Sequence, residues 1–530
     1  MNNIKKILKS FFTKDNLLLI AILLLASFFR LYKIADYMTF LGDEGRDVLK
    51  VYEILHGELT LLGPTSSVGG FFLGSIYYYF MAPFLWIFNY DPVGPAVMVA
   101  LFGIATVFLV YKVSSIFFNK RIAVFASALY AISPLIASYS RSSWNPNPFP
   151  FFSLLSLFVI YEAIKRSSLK LFFLAGILLG IAMQLHYLAL FLGAVIFFYM
   201  LFAVLYKSKL NKAFVDLAKN YLVVFVGFLI GWSLFIAFEI RHNFLNIKNI
   251  IDFVFHSGNT GSGAGFFQTI SDVFFRLFGR SVFAFPAPEH FTRYGSLVIN
   301  VWTIFIFLSA VLSTALLIFY FYKSLKTKDD NFYKYSLLLF WLVVGIILFG
   351  FYKKAIYDYY FAFLFPLPFI LVSLLLNFIW ENKKYIKSFS KIIALGLFVI
   401  IFAINLQGAP FRYPPNRQLN QAESIADFVM TKTDAKPFNF ALISGGNSDH
   451  AYRYFFTIWN HSPTTIEYPG KDPQRKTVTD QLFVVCESPL PCYPIGHSLW
   501  EIAGFGRAEI AGEWDVSVVR IYKLVHYKGE

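Results

Sequence analysis

The sequence predicts a mainly α-helical, polytopic membrane bundle of about 11 spanning helices, followed by a small α/β domain outside the membrane. Three observations predict this fold class. Of 530 residues, 57% are hydrophobic and only 15% are charged, and the apolar residues occur in long blocks. Lysine-rich loops alternate with loops that are not rich in basic residues. Beyond residue 407 the apolar runs become short, with turn residues between them.

The apolar blocks are long enough to cross a bilayer, which takes about 20 helical residues at a rise of 1.5 Å each. The first block follows the N-terminal lysines and has no small-residue cleavage site after it, so it is interpreted as a retained helix rather than a signal peptide. The twelve blocks lie at 16–35, 71–89, 93–113, 121–140, 148–165, 169–186, 188–206, 220–239, 297–322, 333–352, 357–379 and 389–407.

The basic loops decide which of these blocks cross. Cytoplasmic loops carry an excess of Lys and Arg, so all the basic loops should share one side with the N-terminus. This holds only if segment 71–89, which contains Gly74, Tyr77–Tyr79 and Pro83, lies in the interface or re-enters; the alternative is an ordinary spanning helix. The basic loops are at Lys112–Arg121, Lys165–Lys170, Lys207–Lys219, Lys323–Lys334 and Lys383–Lys391.

This topology predicts a multi-pass protein of the cell membrane, with a cytoplasmic N-terminus and an extracytoplasmic C-terminal domain. Residues 1–407 form the membrane module, with outer loops at 36–92, 141–147 and 240–296. Residues 408–530 form the α/β domain, with a helix near Arg417–Met430 and strands at Phe438–Ile443, Gln481–Cys486 and Asp515–Leu524. Cys486 and Cys492 either form a tight disulfide on an oxidising face or remain two free thiols.

The net charge of +15 does not indicate a nucleic-acid partner, because the basic residues cluster in short loops between apolar blocks. The sequence also has no glycine-rich phosphate loop before a helix, no His-x-x-x-His pair and no Gly-x-Ser-x-Gly motif. Membrane lipids are the expected surroundings. The chemistry must therefore come from polar residues in the outer loops.

The first outer loop contains adjacent carboxylates, Asp43 and Glu44, with Arg46 close behind. Apolar sequence flanks this cluster on both sides, and charge at membrane depth tends to be functional. A carboxylate in such surroundings can act as a general base towards a hydroxyl or an amine. The competing interpretation is a solvated loop. We predict Asp43 and Glu44 as catalytic and Arg46 as substrate-binding.

Further candidates come from other outer segments, and each has a structural alternative. Arg141 offers a planar fork for phosphate oxygens or snorkels to the interface. Asn145 and its neighbour Asn147 orient hydroxyls or make a turn. His186 faces the donor or serves as a structural histidine. The other predicted substrate-binding residues are Arg241, Lys353, Lys354, Tyr357 and Tyr360; the lysine pair breaks the positive-inside pattern, which an anionic lipid phosphate would explain.

This pattern resembles the GT-C glycosyltransferases, especially the family 39 branch that contains protein O-mannosyltransferases and the bacterial lipid A aminoarabinose transferase. The resemblance covers roughly residues 15–380 and rests on the Asp43–Glu44 pair, the tyrosine-rich segment 71–89, the Arg141–Asn147 loop and the late segment Tyr357–Pro366. It implies that Asp43 is the base or the acceptor-orienting residue and that segment 71–89 walls a lipid cavity. Many relatives carry an acidic residue where this chain has Asn145 and Asn147, so no metal cofactor is predicted.

The resemblance implies transfer of a sugar from a polyprenyl-phosphate-linked donor to a lipid, glycan or protein acceptor on the extracytoplasmic face. Two alternatives remain. A transporter or flippase for a lipid-linked sugar would favour internal repeats and charges within helices. A non-catalytic membrane subunit of polysaccharide assembly would keep the fold without needing Asp43.

Overall fold

The computed structural model describes residues 14–66, 70–207, 210–255, 263–382, 389–487 and 492–529. The first half of the chain is helical, apart from one short antiparallel hairpin. Its elements are α1 (Lys14–Leu31), α2 (Ile34–Tyr37), α3 (Gly42–Leu55), β1 (Leu62–Thr65), β2 (Phe72–Gly74), α4 (Ile76–Ile87), α5 (Val93–Phe117), α6 (Lys120–Ile132), α7 (Pro134–Tyr139), α8 (Phe149–Arg166), α9 (Leu169–Leu185) and α10 (Ala189–Lys207).

The rest of the bundle continues in the same way, with four short 3₁₀ turns at Pro288–Arg293, Leu348–Phe351, Asp358–Leu364 and Pro410–Arg412. Its helices are α11 (Leu210–Gly231), α12 (Ser233–Arg241), α13 (Leu245–Phe255), α14 (Phe266–Ser281), α15 (Ser296–Thr327), α16 (Asn331–Ile347), α17 (Pro366–Glu381) and α18 (Phe389–Gln407). Each of the twelve predicted apolar stretches contains at least one helix, so the mainly α-helical bundle is confirmed.

Fewer helices than predicted reach full spanning length. Among the described residues, six helices are long and apolar enough to cross a membrane, and a seventh span arises if the turn Asp358–Leu364 and α17, bent by 63°, count as one. Several predicted spans are divided, as at Ser133 between α6 and α7. Multiple apolar helices make this a multi-pass membrane protein, whereas the number of eleven spans stays a prediction.

Segment 71–89 forms only a short helix. α4 has 12 residues, about 18 Å, which is too short for the roughly 30 Å hydrocarbon core. Its position relative to the headgroup boundary stays a prediction, but two of its tyrosines face the protein interior. Tyr77 and Tyr78 are buried, and their hydroxyl groups bond Ser143 Oγ at 2.8 Å and Asp47 Oδ1 at 3.2 Å. The tyrosine run is therefore an internal polar layer under the first outer loop.

The basic hairpins meet at one end of the bundle. Lys334 Nζ donates to the carbonyl of Phe117, and Arg121 bonds Glu381 at 3.2 Å, so the α5–α6, α15–α16 and α17 ends lie together. α5 begins beside α4 and runs about 37 Å to this basic end. Which end is cytoplasmic stays a prediction. Of the predicted basic residues, Lys5, Lys6, Lys9, Lys209, Lys383, Lys384 and Lys387 lie outside the described residues.

Two glycine pairs bring α9 and α11 into direct backbone contact. A Cβ on Gly176 would lie 2.1 Å from the Val224 carbonyl oxygen, and one on Gly231 would lie 2.1 Å from that of Ile177. Small residues spaced by four allow such close approach between helices in membranes. Gln184, near the end of α9, then donates to the Gly231 carbonyl at 2.7 Å. These contacts fix the α9–α10 junction, where His186 lies.

The C-terminal region forms the predicted small α/β unit. Its sheet contains β3 (Asn439–Ile443), β4 (Gln481–Cys486), β5 (Ala508–Val516) and β6 (Val519–His526) in the order β3-β4-β6-β5. The β3–β4 pair is parallel and the other two pairs are antiparallel. The helices are α19 (Gln418–Lys432), α20 (His450–Ile458) and α21 (Trp500–Ala503). Cys486 and Cys492 are joined in a disulfide, which decides between the two sequence-based alternatives.

This domain rests on the end of the bundle opposite the basic hairpins. The Tyr37 hydroxyl donates to the Tyr413 carbonyl at 2.8 Å, and the Arg417 N–H donates to the Asp36 carbonyl at 2.9 Å. The Tyr454 hydroxyl donates to the Tyr90 carbonyl. The C-terminal domain therefore lies against the first outer loop.

Candidate functional site

A cleft lies at this end of the bundle. Five parts of the chain form it: α3, the β1–β2 hairpin, the α7–α8 loop, the α9–α10 junction and the turn Asp358–Leu364. Five of the predicted site residues meet here: Asp43, Arg46, Asn145, His186 and Tyr360. The remaining lining residues are Thr65, Ser66, Leu73, Trp144, Pro146, Tyr187 and Tyr359.

The charged centre of the cleft is a carboxylate–guanidinium–carboxylate cluster on α3. Arg46 Nη1 donates to Asp43 Oδ1 at 2.9 Å, while its Nε and Nη2 donate to Asp47 Oδ1 at 3.0 and 2.8 Å. The Asp43 side chain remains 53% exposed, whereas that of Asp47 is fully buried. One guanidinium thus joins an accessible carboxylate to an inaccessible one, and only Asp43 can meet a substrate.

Asp47 was not predicted as a site residue, yet it holds Arg46 in place. Burial raises the pKa of Asp47 to about 7, because removing the carboxylate from water outweighs the favourable charge of Arg46. Its Oδ2 atom has no hydrogen-bond partner among the described residues. A carboxyl group with this pKa changes its charge near neutral pH.

If the cleft catalyses the sugar transfer that the family resemblance implies, its activity should fall as the pH drops through about 7, the pKa of Asp47. Below that pH the carboxyl group becomes protonated and loses its ion pair with Arg46, which then no longer has a fixed orientation. The charged and titratable groups that share this environment include Asp43, Glu44, Arg46, Tyr77 and Tyr78, and His450 of the C-terminal domain interacts with Arg46 and Asp43. The pH profile of kcat/KM measures this transition in the free protein.

An Asp47→Asn variant provides the control, because asparagine fills the same space without titrating. Its profile should lack the acidic limb near pH 7 and remain low throughout. A wild-type profile that is flat between pH 6 and 8, or an unchanged limb in Asp47→Asn, would contradict the assignment to Asp47.

Glu44 and Arg141 do not line the cleft. Both side chains already have hydrogen-bond partners within the protein, most of them backbone groups. Glu44 closes the start of its own helix: Oε2 accepts from the Leu41 N–H at 3.1 Å, and Oε1 accepts from the Thr39 hydroxyl at 2.6 Å. Arg141 is buried and donates to the carbonyls of Phe29 and Tyr32 at 2.8 and 2.6 Å. It satisfies the C-terminal end of α1, which prefers a cation. The structure thus gives these two residues structural partners instead of the predicted catalytic and phosphate contacts.

Asn145 and His186 lie at the back of the cleft. Asn145 Nδ2 donates to the Leu185 carbonyl at 2.7 Å, which links the α7–α8 loop to the α9–α10 junction. His186 Nδ1 accepts from the Leu188 N–H at 3.2 Å, so the proton of the neutral ring is on Nε2. His186 therefore offers one N–H donor to a ligand.

Aromatic side chains form the wall opposite Asp43. The Trp144 and Tyr359 rings meet edge to face at 4.5 Å, and the Tyr187 hydroxyl bonds that of Tyr352 at 2.8 Å. Arg276 and Arg280 on α14 both donate to Asp358, at 2.6 and 2.8 Å, and hold the turn that carries Tyr359 and Tyr360. The sequence analysis predicted Tyr360 but not Trp144, Tyr187 or Tyr359, because aromatic residues make up 20% of the chain and those at the cleft have no distinctive spacing.

Four other predicted residues do not line the cleft. Tyr357 is exposed, and its ring lies 5.7 Å from that of Tyr360. Lys354 Nζ lies 5.7 Å from the centre of the Phe253 ring, and Lys353 is exposed. Arg241 is the exposed last residue of α12. The structure shows none of them in contact with the Asp43 cluster, so they are dropped from the site proposed below.

The donor set of the cleft does not fit a metal ion. Within the described ranges, no three His, Cys, Asp or Glu side chains come together as ligands. Asp43 is the one accessible carboxylate of the α3 cluster, and it already bonds Arg46. No chemical step below is routed through a metal.

Comparison with known proteins gives one family match and several matches by fold. The model of the dolichyl-phosphate-mannose-protein mannosyltransferase family matches residues 75–232. None of the curated proteins matches the sequence. ArnT from Cupriavidus metallidurans bound to undecaprenyl phosphate has a TM-score of 0.58 and 12% identity, over 96% of this chain and 97% of that chain.

The oligosaccharyltransferase of Archaeoglobus fulgidus is also similar in fold. In its complex with zinc and sulfate it has a TM-score of 0.53 and 16% identity, over 88% of this chain and 67% of that chain. The archaeal oligosaccharyltransferase AglB from Archaeoglobus fulgidus, in complex with an inhibitory peptide and a dolichol-phosphate, has a TM-score of 0.51 and 13% identity, over 89% of this chain and 69% of that chain.

Proposed function

We propose that this chain, which has the fold of the GT-C membrane glycosyltransferases, transfers a sugar from a polyprenyl-phosphate-linked donor to an acceptor at the extracytoplasmic face. One observation carries the proposal: the accessible carboxylate of Asp43 shares a cleft with Arg46, His186 and Tyr360, which together come from three separate parts of the chain. The solved structures with this fold include proteins bound to undecaprenyl phosphate and dolichol-phosphate, which supports a lipid-phosphate donor.

The chemistry follows from the two kinds of group in the cleft. Asp43 takes the proton of an acceptor hydroxyl or amine, and the acceptor atom forms a bond to the anomeric carbon of the sugar. The bond between that carbon and the phosphate oxygen breaks, and the polyprenyl phosphate leaves with the bonding electron pair. Arg46, the His186 Nε2–H and the Tyr360 hydroxyl stabilise its negative charge. Attack opposite the leaving phosphate inverts the anomeric carbon, as the family resemblance implies.

The test uses the purified full-length protein, a set of polyprenyl-phosphate sugars and a membrane extract as the source of acceptors. We expect sugar to appear in the acceptor fraction together with an equal amount of free polyprenyl phosphate. Nucleotide-linked sugars serve as control donors and should give no product. Absence of transfer from every lipid-linked donor, combined with movement of the intact donor across the bilayer of liposomes, would replace this proposal by the flippase alternative.

A further inference from the structure

The helix that presents Asp43 has an unusual N-terminal cap. An α-helix begins with N–H groups that have no partner within the helix and need acceptors elsewhere. The residue before α3 is Leu41, whose side chain cannot accept a hydrogen bond. The Gly42 N–H instead donates to Asn447 Oδ1 at 2.8 Å, and Asn447 lies 405 residues away in the C-terminal domain.

The orientation of the Asn447 side chain is fixed by its other partners. Its Nδ2 donates to both carboxylate oxygens of Glu487, at 3.1 and 2.9 Å, so its Oδ1 must face Gly42. Glu487 is held in turn by the Tyr452 hydroxyl at 2.5 Å and by its own N–H, which donates to the Ile443 carbonyl at 2.9 Å. The acceptor for Gly42 is therefore preorganised by the C-terminal sheet and α20.

The two backbones also fit closely around this bond. A Cβ on Gly42 would lie 2.1 Å from Ser448 Oγ, and a Cβ on Gly45 would lie 2.3 Å from the Ala451 backbone nitrogen. Ala451 is in the first turn of α20, and its backbone cannot move aside as a flexible side chain does. The first turn of α3 is thus seated directly on the C-terminal domain, with Asp43 between the two glycines.

We propose that Asn447 is a positioning residue, which caps α3 from the C-terminal domain and thereby sets the orientation of Asp43. This inference rests on the proposed function for its effect on catalysis, whereas the cap itself is independent of that function. It assigns the C-terminal domain a direct part in building the site.

The experiment compares full-length Asn447→Ala with Asn420→Ala, the same change at an exposed position on α19. In Asn447→Ala, hydrogen exchange of the peptide 41–47 should become faster, and kcat should fall about 5–30-fold, which corresponds to the usual loss of an N-cap. KM for the lipid-linked donor should stay within about twofold, because the groups proposed to bind phosphate remain. Asn420→Ala should behave as wild type.

Swapping the amide and the carboxylate between positions 447 and 487 provides a rescue experiment. Asn447→Asp keeps an acceptor for Gly42 but places two carboxylates together, so it should also be impaired. Adding Glu487→Gln places an amide donor opposite the new carboxylate, so both the rate of hydrogen exchange and kcat should return towards their wild-type values. If hydrogen exchange of the peptide 41–47 is unchanged in Asn447→Ala, Asn447 does not cap α3. If hydrogen exchange becomes faster but kcat is unchanged, Asn447 caps the helix without positioning Asp43. If the wild-type protein shows no sugar transfer, only the proposed function is refuted, because hydrogen exchange is measured without a lipid-linked donor.

Discussion

Replacing Asp43 with Asn should lower the rate of sugar transfer by about 10²–10⁴-fold, the usual range for loss of a general base. Asparagine keeps the size of the side chain and can still accept a hydrogen bond from Arg46, but it cannot take a proton from the acceptor. The Asp43 side chain is 53% exposed and faces the cleft, so the substitution removes no buried packing. Transfer from a radiolabelled lipid-linked donor measures kcat, and equilibrium binding of the same donor measures Kd.

Donor binding separates the base from a residue that only maintains the fold. Kd should remain within about threefold of wild type, because the groups proposed to bind phosphate are unchanged. Asp36→Asn is the matched control, since Asp36 lies in the same segment but does not line the cleft. Unchanged transfer in Asp43→Asn would remove Asp43 from the mechanism, and another group would then have to accept the proton of the acceptor.

The sequence was sufficient to predict most helices and the strands β3 and β4, because each depends on local patterns. The predicted run Asp515–Leu524 was wrong as a single strand, since it spans the turn between β5 and β6. Apolar blocks near 20 residues became helices, and the change after residue 407 became a mixed sheet. Part of the cleft was predictable for the same reason. Asp43 and Arg46 are neighbouring charges within apolar sequence, and this signal needs no knowledge of the fold.

The remaining site depends on partners that are distant in the sequence. Arg141 has the same local signal as Arg46, yet its guanidinium finds the Phe29 carbonyl 112 residues away. Glu44 is adjacent to Asp43 and carries the same kind of group, yet its carboxylate bonds the Leu41 N–H and the Thr39 hydroxyl instead of lining the cleft. A carboxylate or guanidinium at membrane depth thus predicts that a partner exists, but the fold decides whether that partner is a substrate or a helix end.

Replacing Arg46 with Gln should weaken donor binding and transfer by about 100-fold or more. The guanidinium has five N–H donors, and three of them bond Asp43 and Asp47, which leaves one on each terminal nitrogen for phosphate oxygens. Charge-assisted hydrogen bonds contribute about 1.5–3 kcal/mol each, so the loss of two accounts for this factor. Arg46→Lys should remain impaired, because a single ammonium group cannot hold both carboxylates and a phosphate. Donor Kd and kcat are measured separately.

A second substitution distinguishes phosphate binding from the simple loss of an ion pair. Arg46→Gln removes the cation that favours the ionised form of Asp47, so this buried side chain loses its ion pair and must either stay charged without a partner or take up a proton. The double variant Arg46→Gln/Asp47→Asn removes the titrating carboxyl group and should recover much of the thermal stability of the protein. If Arg46 binds the donor phosphate, the double variant stays defective in donor binding although it is stable. If donor binding returns with stability, Arg46 acts only through the structure of α3, and the phosphate must be bound by His186 and the tyrosines.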